Sequence, residues 1–500
     1  RCLDLLPARS REAAPLRARL GDALANAGRG PEAANAYLAA AEDAGDDVVP
    51  LQAKAAGQLL RSGHVDSSLE VLRRALAGLD LELPETPRAA LISLLRQRAL
   101  IRLRGLGFKE RRESEIPVRD LTRVDISWAL AVGFGLIDVI RGAEFQARHL
   151  RLSLATGEVG RVARALSVEV AYRYTAGTKG SKGSARALAL AEELAARLGD
   201  PPNLVGLNTL MAGIGSICEG RWRDAEERCA RAEEILRDQC SGVSWELASA
   251  RIMHLWALWY QGRMGDMAAR LPAVLRESGE RGDLYAVTSC RTYFTPMALL
   301  AEDQPDRAAE EGERALRRWS QRGFHFQHYF HLFAATQVRL YRGDREGALA
   351  LVTEAWPQLR SSLLLSVQQN KVEALHVRAR AELATGRATG DRKLIDQALS
   401  RARAIEKERT RWGDGLALLV RAAAADAAGD TERATGLLER AAGLFDETGM
   451  QHFAAAARRR LGLVRGAAGA AEAARAEETL RALGAANPAA MADMLAPGFA

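Results

Sequence analysis

The chain has 500 residues, of which 48% are hydrophobic and 27% charged, a balance that excludes an intrinsically disordered protein. Seventy basic and 63 acidic residues leave a net charge of +7, and all but seven of the basic residues are Arg, interleaved with Glu and Asp at helical spacing. Mixed charges are typical of solvated helix faces and argue against the like-charged stripe of a nucleic-acid binder. The cysteines include no Cys-x-x-Cys pair and predict reduced, buried thiols: Cys2, Cys218, Cys229, Cys240 and Cys290.

The first predicted element is a helical hairpin centred on a turn glycine. It reads Leu20-Gly21-x-x-Leu24, then Gly28, then Ala33-x-x-x-Tyr37-x-x-Ala40. Small residues at the contact let two helices approach closely, while the large one fills the groove to the next hairpin. This is the tetratricopeptide (TPR) pattern.

The same turn recurs along the chain. It is predicted at Gly63, Gly142, Gly220, Gly262, Gly343 and Gly429, with weaker members at Gly105, Gly183, Asp303 and Gly386. The mean step is about 40 residues, longer than the 34 of a standard TPR. The sequence therefore predicts an all-α solenoid, a superhelix of about ten to eleven TPR-like helix–turn–helix repeats.

Breaks in this rhythm suggest four regions. Prolines at Pro84 and Pro117 stop helices, and a Gly-rich stretch follows near Gly180. The predicted regions are N-terminal repeats in 1–80, irregular helical repeats in 81–184, regular repeats in 185–465 and a helical cap or tail in 466–500. An aromatic-rich segment, 245–333, lies within the third region.

Two segments resemble functional motifs without completing them. The segment Gly177 to Ser184 offers glycine amides and two lysines to an anion, but it lacks the Gly-Lys-Ser/Thr order of a P-loop and follows a helix, so a flexible loop is favoured. His325, His328 and His331 follow one another at steps of three residues, so all three imidazoles do not share one face of a helix. No Cys or suitably placed carboxylate completes a tetrahedral site. Packing or a binding surface is favoured over a metal site.

The segment 245–333 holds 13 of the chain's 27 aromatic residues. One interpretation is a heavier core where the superhelix tightens. The other is an aromatic-lined concave site for a peptide or a small ligand, since aromatic side chains dominate recognition surfaces. The candidate ligand- or partner-binding residues are Trp256, Trp259, Tyr260, Tyr293, Phe326, Tyr329 and Phe330.

No hydrolase elbow, zinc-protease, kinase or Walker motif is present, so the chain is expected to be non-catalytic, with no metal or cofactor of its own. No apolar run is long enough to span a membrane. These features predict a cytoplasmic interaction protein without a membrane partner. A nucleic-acid-binding helical-repeat protein and a free-standing TPR scaffold are the alternatives, although no periodic base-reading pair supports the first.

Several stretches resemble a known architecture. They are residues 16–30, 59–64, 141–150 and 319–325, together with the closing Asn487-Pro488 and Met494-Leu495-Ala496-Pro497-Gly498-Phe499. They are similar to the C-terminal region of large bacterial serine/threonine kinase fusion proteins, in which a kinase and an AAA-type (STAND-like) ATPase precede a long TPR-like tail.

The resemblance implies that this chain, which begins at Arg1 without a Met, is the regulatory tail of a signalling kinase–ATPase. Such a tail senses a protein, peptide or small ligand and controls the kinase and ATPase domains of the same polypeptide. ATP and Mg²⁺ are then expected in the upstream domains alone. None of the family's catalytic residues can be placed in this sequence.

Overall fold

The computed structural model describes residues 13–45, 48–135, 137–175 and 180–499. Within these ranges the secondary structure is helical and contains no strand. The helices are α1 (Ala13–Asn26), α2 (Gly30–Ala41), α3 (Val48–Arg61), α4 (Val65–Gly78), α5 (Pro87–Arg104), α6 (Val118–Gly135), α7 (Val139–Thr156), α8 (Val159–Tyr174), α9 (Ser181–Arg197), α10 (Pro202–Glu219), α11 (Trp222–Gln239), α12 (Ser244–Gln261), α13 (Met264–Glu280), α14 (Leu284–Ser289), α15 (Thr295–Ala301), α16 (Pro305–Arg317), α17 (Phe326–Tyr341), α18 (Arg345–Ser361), α19 (Gln368–Thr389), α20 (Arg392–Glu406), α21 (Arg411–Ala427), α22 (Thr431–Thr448), α23 (Gln451–Val464), α24 (Ala470–Ala482) and α25 (Pro488–Leu495).

Consecutive helices pack in pairs, and each pair packs on the next. The pairs are α1 with α2, α3 with α4, α6 with α7, α8 with α9, α10 with α11, α12 with α13, α15 with α16, α17 with α18, α19 with α20, α21 with α22 and α23 with α24. Short turns join the partners, so each pair is a helical hairpin. The predicted all-α repeat solenoid is confirmed.

Most of the predicted turns are found where the sequence places them. Gly28, Gly63, Gly220, Gly262, Gly343 and Gly429 all have left-handed backbone angles, as does Asp303. Three predicted turn positions are wrong, because Gly142, Gly183 and Gly386 lie inside α7, α9 and α19. The last of these helices continues to Thr389 and ends at Gly390, which has the left-handed conformation instead.

The superhelix closes on itself because its successive turns are in contact. The backbone N–H of Tyr285 donates to the Ser62 carbonyl at 3.2 Å, and the backbone N–H of Gln368 donates to the Thr175 carbonyl at 3.3 Å. These partners lie roughly 200 residues apart, about five repeats of the solenoid. One superhelical turn therefore rests on the next.

Turn glycines form part of the contact between superhelical turns. A Cβ on Gly220 would lie 2.3 Å from Trp412 Cδ1, and a Cβ on Gly63 would lie 2.5 Å from the Tyr285 amide nitrogen. Gly429 has a similar φ of +77°, yet a Cβ there would meet nothing within 4 Å. The absent side chain therefore matters for more than backbone conformation at Gly63 and Gly220.

This difference makes a testable prediction. Gly429→Ala is expected to lower the free energy of unfolding by about 1–2 kcal/mol, the cost of a left-handed alanine. Gly220→Ala carries the same cost and adds about 1–3 kcal/mol, because the Trp412 ring must shift. Urea unfolding of the two variants, followed by circular dichroism, measures the difference. Equal losses would show that the superhelical turns do not press together at Gly220.

The irregular segment between Pro84 and Pro117 is where the pairing fails. Both prolines lie outside helices, as predicted, and α5 lies between them. This helix has no hairpin partner and packs on the outside of α7. The division into four regions stays a prediction.

Candidate functional site

All seven aromatic residues predicted to form a binding site are buried. Their exposed fractions do not exceed 4% for Trp256, Trp259, Tyr260, Tyr293, Phe326, Tyr329 and Phe330. They divide between a buried polar cluster and the wall of an interior cavity, with the remaining rings packed behind. The expected open concave surface is not what these residues form, because side chains from later repeats, among them Glu373 and Trp412, pack against them.

The polar cluster consists of three tyrosines around one carboxylate. The Tyr260 hydroxyl donates to Glu373 Oε1 at 2.5 Å, and the Tyr293 hydroxyl donates to the same oxygen at 3.1 Å. The Tyr329 hydroxyl donates to Glu373 Oε2. Because these groups come from α12, from the segment between α14 and α15, from α17 and from α19, one carboxylate ties four elements together.

Tyr293 reaches this cluster from a π-helical turn, Cys290–Phe294, that joins α14 and α15 into one continuous helix. The Thr295 amide bonds to the Cys290 carbonyl, and Pro296 follows without an N–H of its own. A proline removes a normal helical hydrogen bond, and a π turn is one way for the helix to accommodate it. The wider turn carries Tyr293, which is fully buried, toward Glu373.

Burial dominates the electrostatics of the cluster. It raises the pKa of Glu373, while the three hydroxyl donors act in the opposite direction. It also raises the pKa of all three tyrosines, which therefore stay protonated as donors. Two helical turns further along α19, burial lowers the pKa of Arg380 to about 10, and its guanidinium donates to the Met494 carbonyl at 2.8 Å. The cluster holds helices in register and offers a ligand no free donor among these hydroxyls.

A cavity of about 90 Å³ lies beside this cluster, on the inner face of the superhelix. Its walls are Ala131, Val132, Gly135, Val139, Val168, Ala171, Tyr172, Thr175, Met211, Ile214, Ile217, Cys218, Trp245, Ser249, Met253, Trp256, Phe326, Val367, Gln369 and Asn370. These belong to α6, α8, α10 and α12 and the start of α7 in one superhelical turn, and to the start of α17 and α19 in the next. Gly135, Ala171, Thr175 and Ile214 are partly exposed and mark its solvent side.

The cavity wall is apolar, and no lining side chain is ionised. Burial raises the pKa of the Cys218 thiol to about 12, which keeps it neutral. The Tyr172 hydroxyl is engaged, since it donates to the Ala131 carbonyl at 2.8 Å. The indole nitrogen of Trp256 is buried and has no hydrogen-bond partner among the described residues. The cavity suits a small, uncharged, mostly apolar molecule.

Two of the seven predicted residues, Trp256 and Phe326, line the cavity, and the others do not. Phe330 packs edge-on against Trp256 with ring centroids 5.5 Å apart, and Trp259 packs against His452 at 5.2 Å. Sequence reasoning missed Glu373 and most of the cavity wall. A carboxylate inside the apolar run Val372 to Leu375 was the available signal for Glu373.

The three-histidine segment is a packing element. The Trp319 indole donates to His325 Nδ1 at 3.0 Å, and the His325 amide donates to His328 Nδ1 at 3.1 Å. Within the described part of the chain, no group of three or more His, Cys, Asp or Glu is arranged to hold a metal ion. Residues 177–179 of the predicted anion-binding loop lie outside the described residues.

Cys218, Cys229 and Cys290 are buried free thiols, and Cys240 is partly exposed; Cys2 lies outside the described residues. Among the described helices, none is both long and apolar enough to cross a membrane. No protein-family model matches this chain. A search of curated proteins finds no significant match either. The fold and the cavity therefore carry the functional argument.

Proposed function

We propose that this chain is a non-catalytic sensor solenoid, which binds a small, uncharged, mostly apolar ligand in its interior cavity. The observation that carries the proposal is an apolar cavity of about 90 Å³ between the inner helices of the superhelix. An apolar cavity of roughly 150 Å³ stays dry and takes up benzene. Met211 and Met253 in the wall are adaptable side chains, which allow a guest somewhat larger than the empty volume.

The position of the cavity supplies a way to transmit binding. Its wall includes Trp245 and Trp256 from one superhelical turn, and Gln369 and Asn370 from the next. A ligand in contact with both turns stabilises the closed arrangement over any opened one. A ligand shifts a conformational equilibrium only by such differential contacts. Binding is thus coupled to how tightly the superhelix is closed.

The resemblance to kinase–ATPase tails supports a regulatory role for this coupling. In the proposal, the closed solenoid controls upstream kinase and ATPase domains of the same cytoplasmic polypeptide. The test compares ATP turnover by the full-length protein with that of a version lacking residues 1–500. Equal rates, with and without a cell extract, would contradict the regulatory role while leaving ligand binding by the solenoid open to its own test.

Ligand binding is tested with benzene and two matched variants, in each of which an alanine is replaced by leucine. Ala171→Leu fills part of the cavity from α8, whereas Ala189→Leu adds the same group on the exposed face of α9. At ten times its Kd, benzene is expected to stabilise the unaltered chain and Ala189→Leu by about 1.4 kcal/mol. Benzene is expected to stabilise Ala171→Leu much less, because the leucine occupies part of the cavity. Thermal unfolding and tryptophan fluorescence report the effect, since Trp245 and Trp256 line the wall.

Two results would contradict ligand binding in the cavity. One is the absence of any stabilisation by benzene or by xenon. The other is equal stabilisation of Ala171→Leu and Ala189→Leu, which would place the apolar guest elsewhere in the molecule.

A further inference from the structure

Helix α5 exposes more apolar surface than any other described element. Nine large hydrophobic side chains are exposed in the described ranges, and five of them lie on this one helix. They are Leu91, Ile92, Leu95, Leu100 and Leu103, and Val118 follows at the start of α6. Leu103 is 86% exposed and Ile92 is 70% exposed. Isolated exposed hydrophobics are ordinary, but a contiguous set marks an interaction site.

The other side of α5 is firmly attached to the solenoid. The Ser93 hydroxyl donates to Glu144 at 2.6 Å, the Arg104 guanidinium donates to the Leu154 carbonyl at 2.7 Å, and Arg98 pairs with Glu169. Ala90 and Ile101 are buried between these contacts. A helix with large apolar residues on two opposite sides normally has a packing partner on each. Here one side is covered by α7, and the opposite side lacks a second layer.

The charges on the exposed side are all basic. Residues 87–104 include five Arg and no Asp or Glu. Arg98 and Arg104 bond inward, whereas the exposed Arg88, Arg96 and Arg102 form no ion pair with any described residue. Their spacing places them beside Ile92, Leu95 and Leu103 on the outward side of the helix. The surface therefore combines an apolar stripe with three free guanidinium groups.

We propose that this exposed side of α5 docks an acidic amphipathic helix of a partner protein. A helix lying along α5 completes the hairpin that α5 lacks, as α4 does for α3. Its apolar residues, at i, i+3 or i+4 and i+7, cover Ile92, Leu95 and Leu103. Its carboxylates pair with Arg88, Arg96 and Arg102, which bind carboxylates in a bidentate geometry.

Two other occupants fit the charges less well. A second copy of this chain would bring α5 against α5, and the three exposed Arg would face three Arg without a carboxylate on either helix. An extended anionic membrane would also meet the exposed carboxylates of Glu82 and Glu85, which directly precede the helix. An 18-residue helix spans about 27 Å, so a partner helix of similar length avoids that acidic end.

The proposal is tested with a displayed library of 18-residue amphipathic helices, selected on the full chain. Counter-selection uses a triple variant, Ile92→Gln, Leu95→Gln and Leu103→Gln. The selected peptides are expected to have apolar residues at helical spacing, with Asp or Glu beside them. Their Kd, measured as synthetic peptides by fluorescence polarisation, is expected to weaken at least tenfold in the triple variant and in Arg88→Glu, Arg96→Glu, Arg102→Glu.

The matched control is Leu463→Gln, which removes an exposed leucine on α23 and is expected to leave the Kd unchanged. Circular dichroism verifies that each variant is folded. The proposal is overturned if no enriched peptide binds the unaltered chain more tightly than the triple variant, or if the enriched peptides carry no excess of Asp and Glu. It is equally overturned if the chain dimerises through α5 in light scattering, or if α5 instead binds phosphatidylglycerol vesicles in flotation assays.

Discussion

Glu373→Ala is expected to lower the free energy of unfolding by about 3–5 kcal/mol, one of the two largest effects foreseen for this chain. Removing the carboxylate leaves the hydroxyls of Tyr260, Tyr293 and Tyr329 buried without their acceptor. It also removes the negative charge that offsets the buried guanidinium of Arg380. Losing one member of a buried charged network is costly because the remaining groups stay desolvated.

The measurement is urea unfolding at pH 7.5, followed by circular dichroism and tryptophan fluorescence. Both signals are needed because long repeat arrays do not always unfold in one step. Glu373→Gln keeps one acceptor oxygen, and its free energy of unfolding is expected to fall by about half as much. Glu478→Ala, at an exposed position on α24, is the matched control and is expected to change stability by no more than about 0.5 kcal/mol. A loss below 1 kcal/mol for Glu373→Ala would show that the cluster does not hold the four elements together.

The second large effect is a loss of stability in mild acid. All eight histidines of the chain have a lowered pKa, and burial is the first cause at every one. The pKa falls to about 4 at His254, His325, His328 and His331. A histidine whose pKa is lower in the folded than in the unfolded chain stabilises the fold fully above pH 6.5. That contribution is lost as the pH falls from 6.5 toward 4.

The geometry around α17 explains why protonation is unfavourable there. His325 Nδ1 accepts from the Trp319 indole, and His328 Nδ1 accepts from the His325 amide. Both rings must therefore be neutral, with the proton on Nε2. Protonation of either Nδ1 removes its hydrogen bond and places a charge in an apolar surrounding. At pH 5 the expected loss is on the order of 1–2 kcal/mol for each such histidine.

Unfolding free energies at pH 7.5 and pH 5.0 test this expectation. Most carboxylates stay ionised across that range, so the histidines dominate the comparison. Asp283 acts in the opposite sense, because burial raises its pKa to about 7 and its protonation favours the folded chain. The double variant His328→Gln, His331→Gln is expected to lose about 2–4 kcal/mol less than the unaltered chain between the two pH values. An unchanged pH dependence would contradict the assignment.

The repeat fold followed from local features that the sequence contains in full. Left-handed glycines at Gly28, Gly220 and Gly429 end one helix and begin the next, and small residues such as Ala33 and Ala40 mark the contact between paired helices. Pro84 and Pro117 likewise fall outside helices, since proline disrupts the helix by local sterics alone. Glycine alone does not specify a turn, however, since Gly142 and Gly386 were predicted as turns and lie inside helices.

The functional residues depended on contacts that no local pattern encodes. The aromatic segment 245–333 was recognisable, but its rings are buried because repeats distant in the chain, which contribute Glu373, Trp412 and His452, pack against them. Tyr260, Tyr293 and Tyr329 reach Glu373 from 113, 80 and 44 residues away in the chain. The sequence by itself determined the helices, their turns and their pairing, because those arise from residues close in the chain. Only the tertiary structure decided that the superhelix is closed around a cavity and that α5 is left uncovered, because both depend on how distant repeats meet.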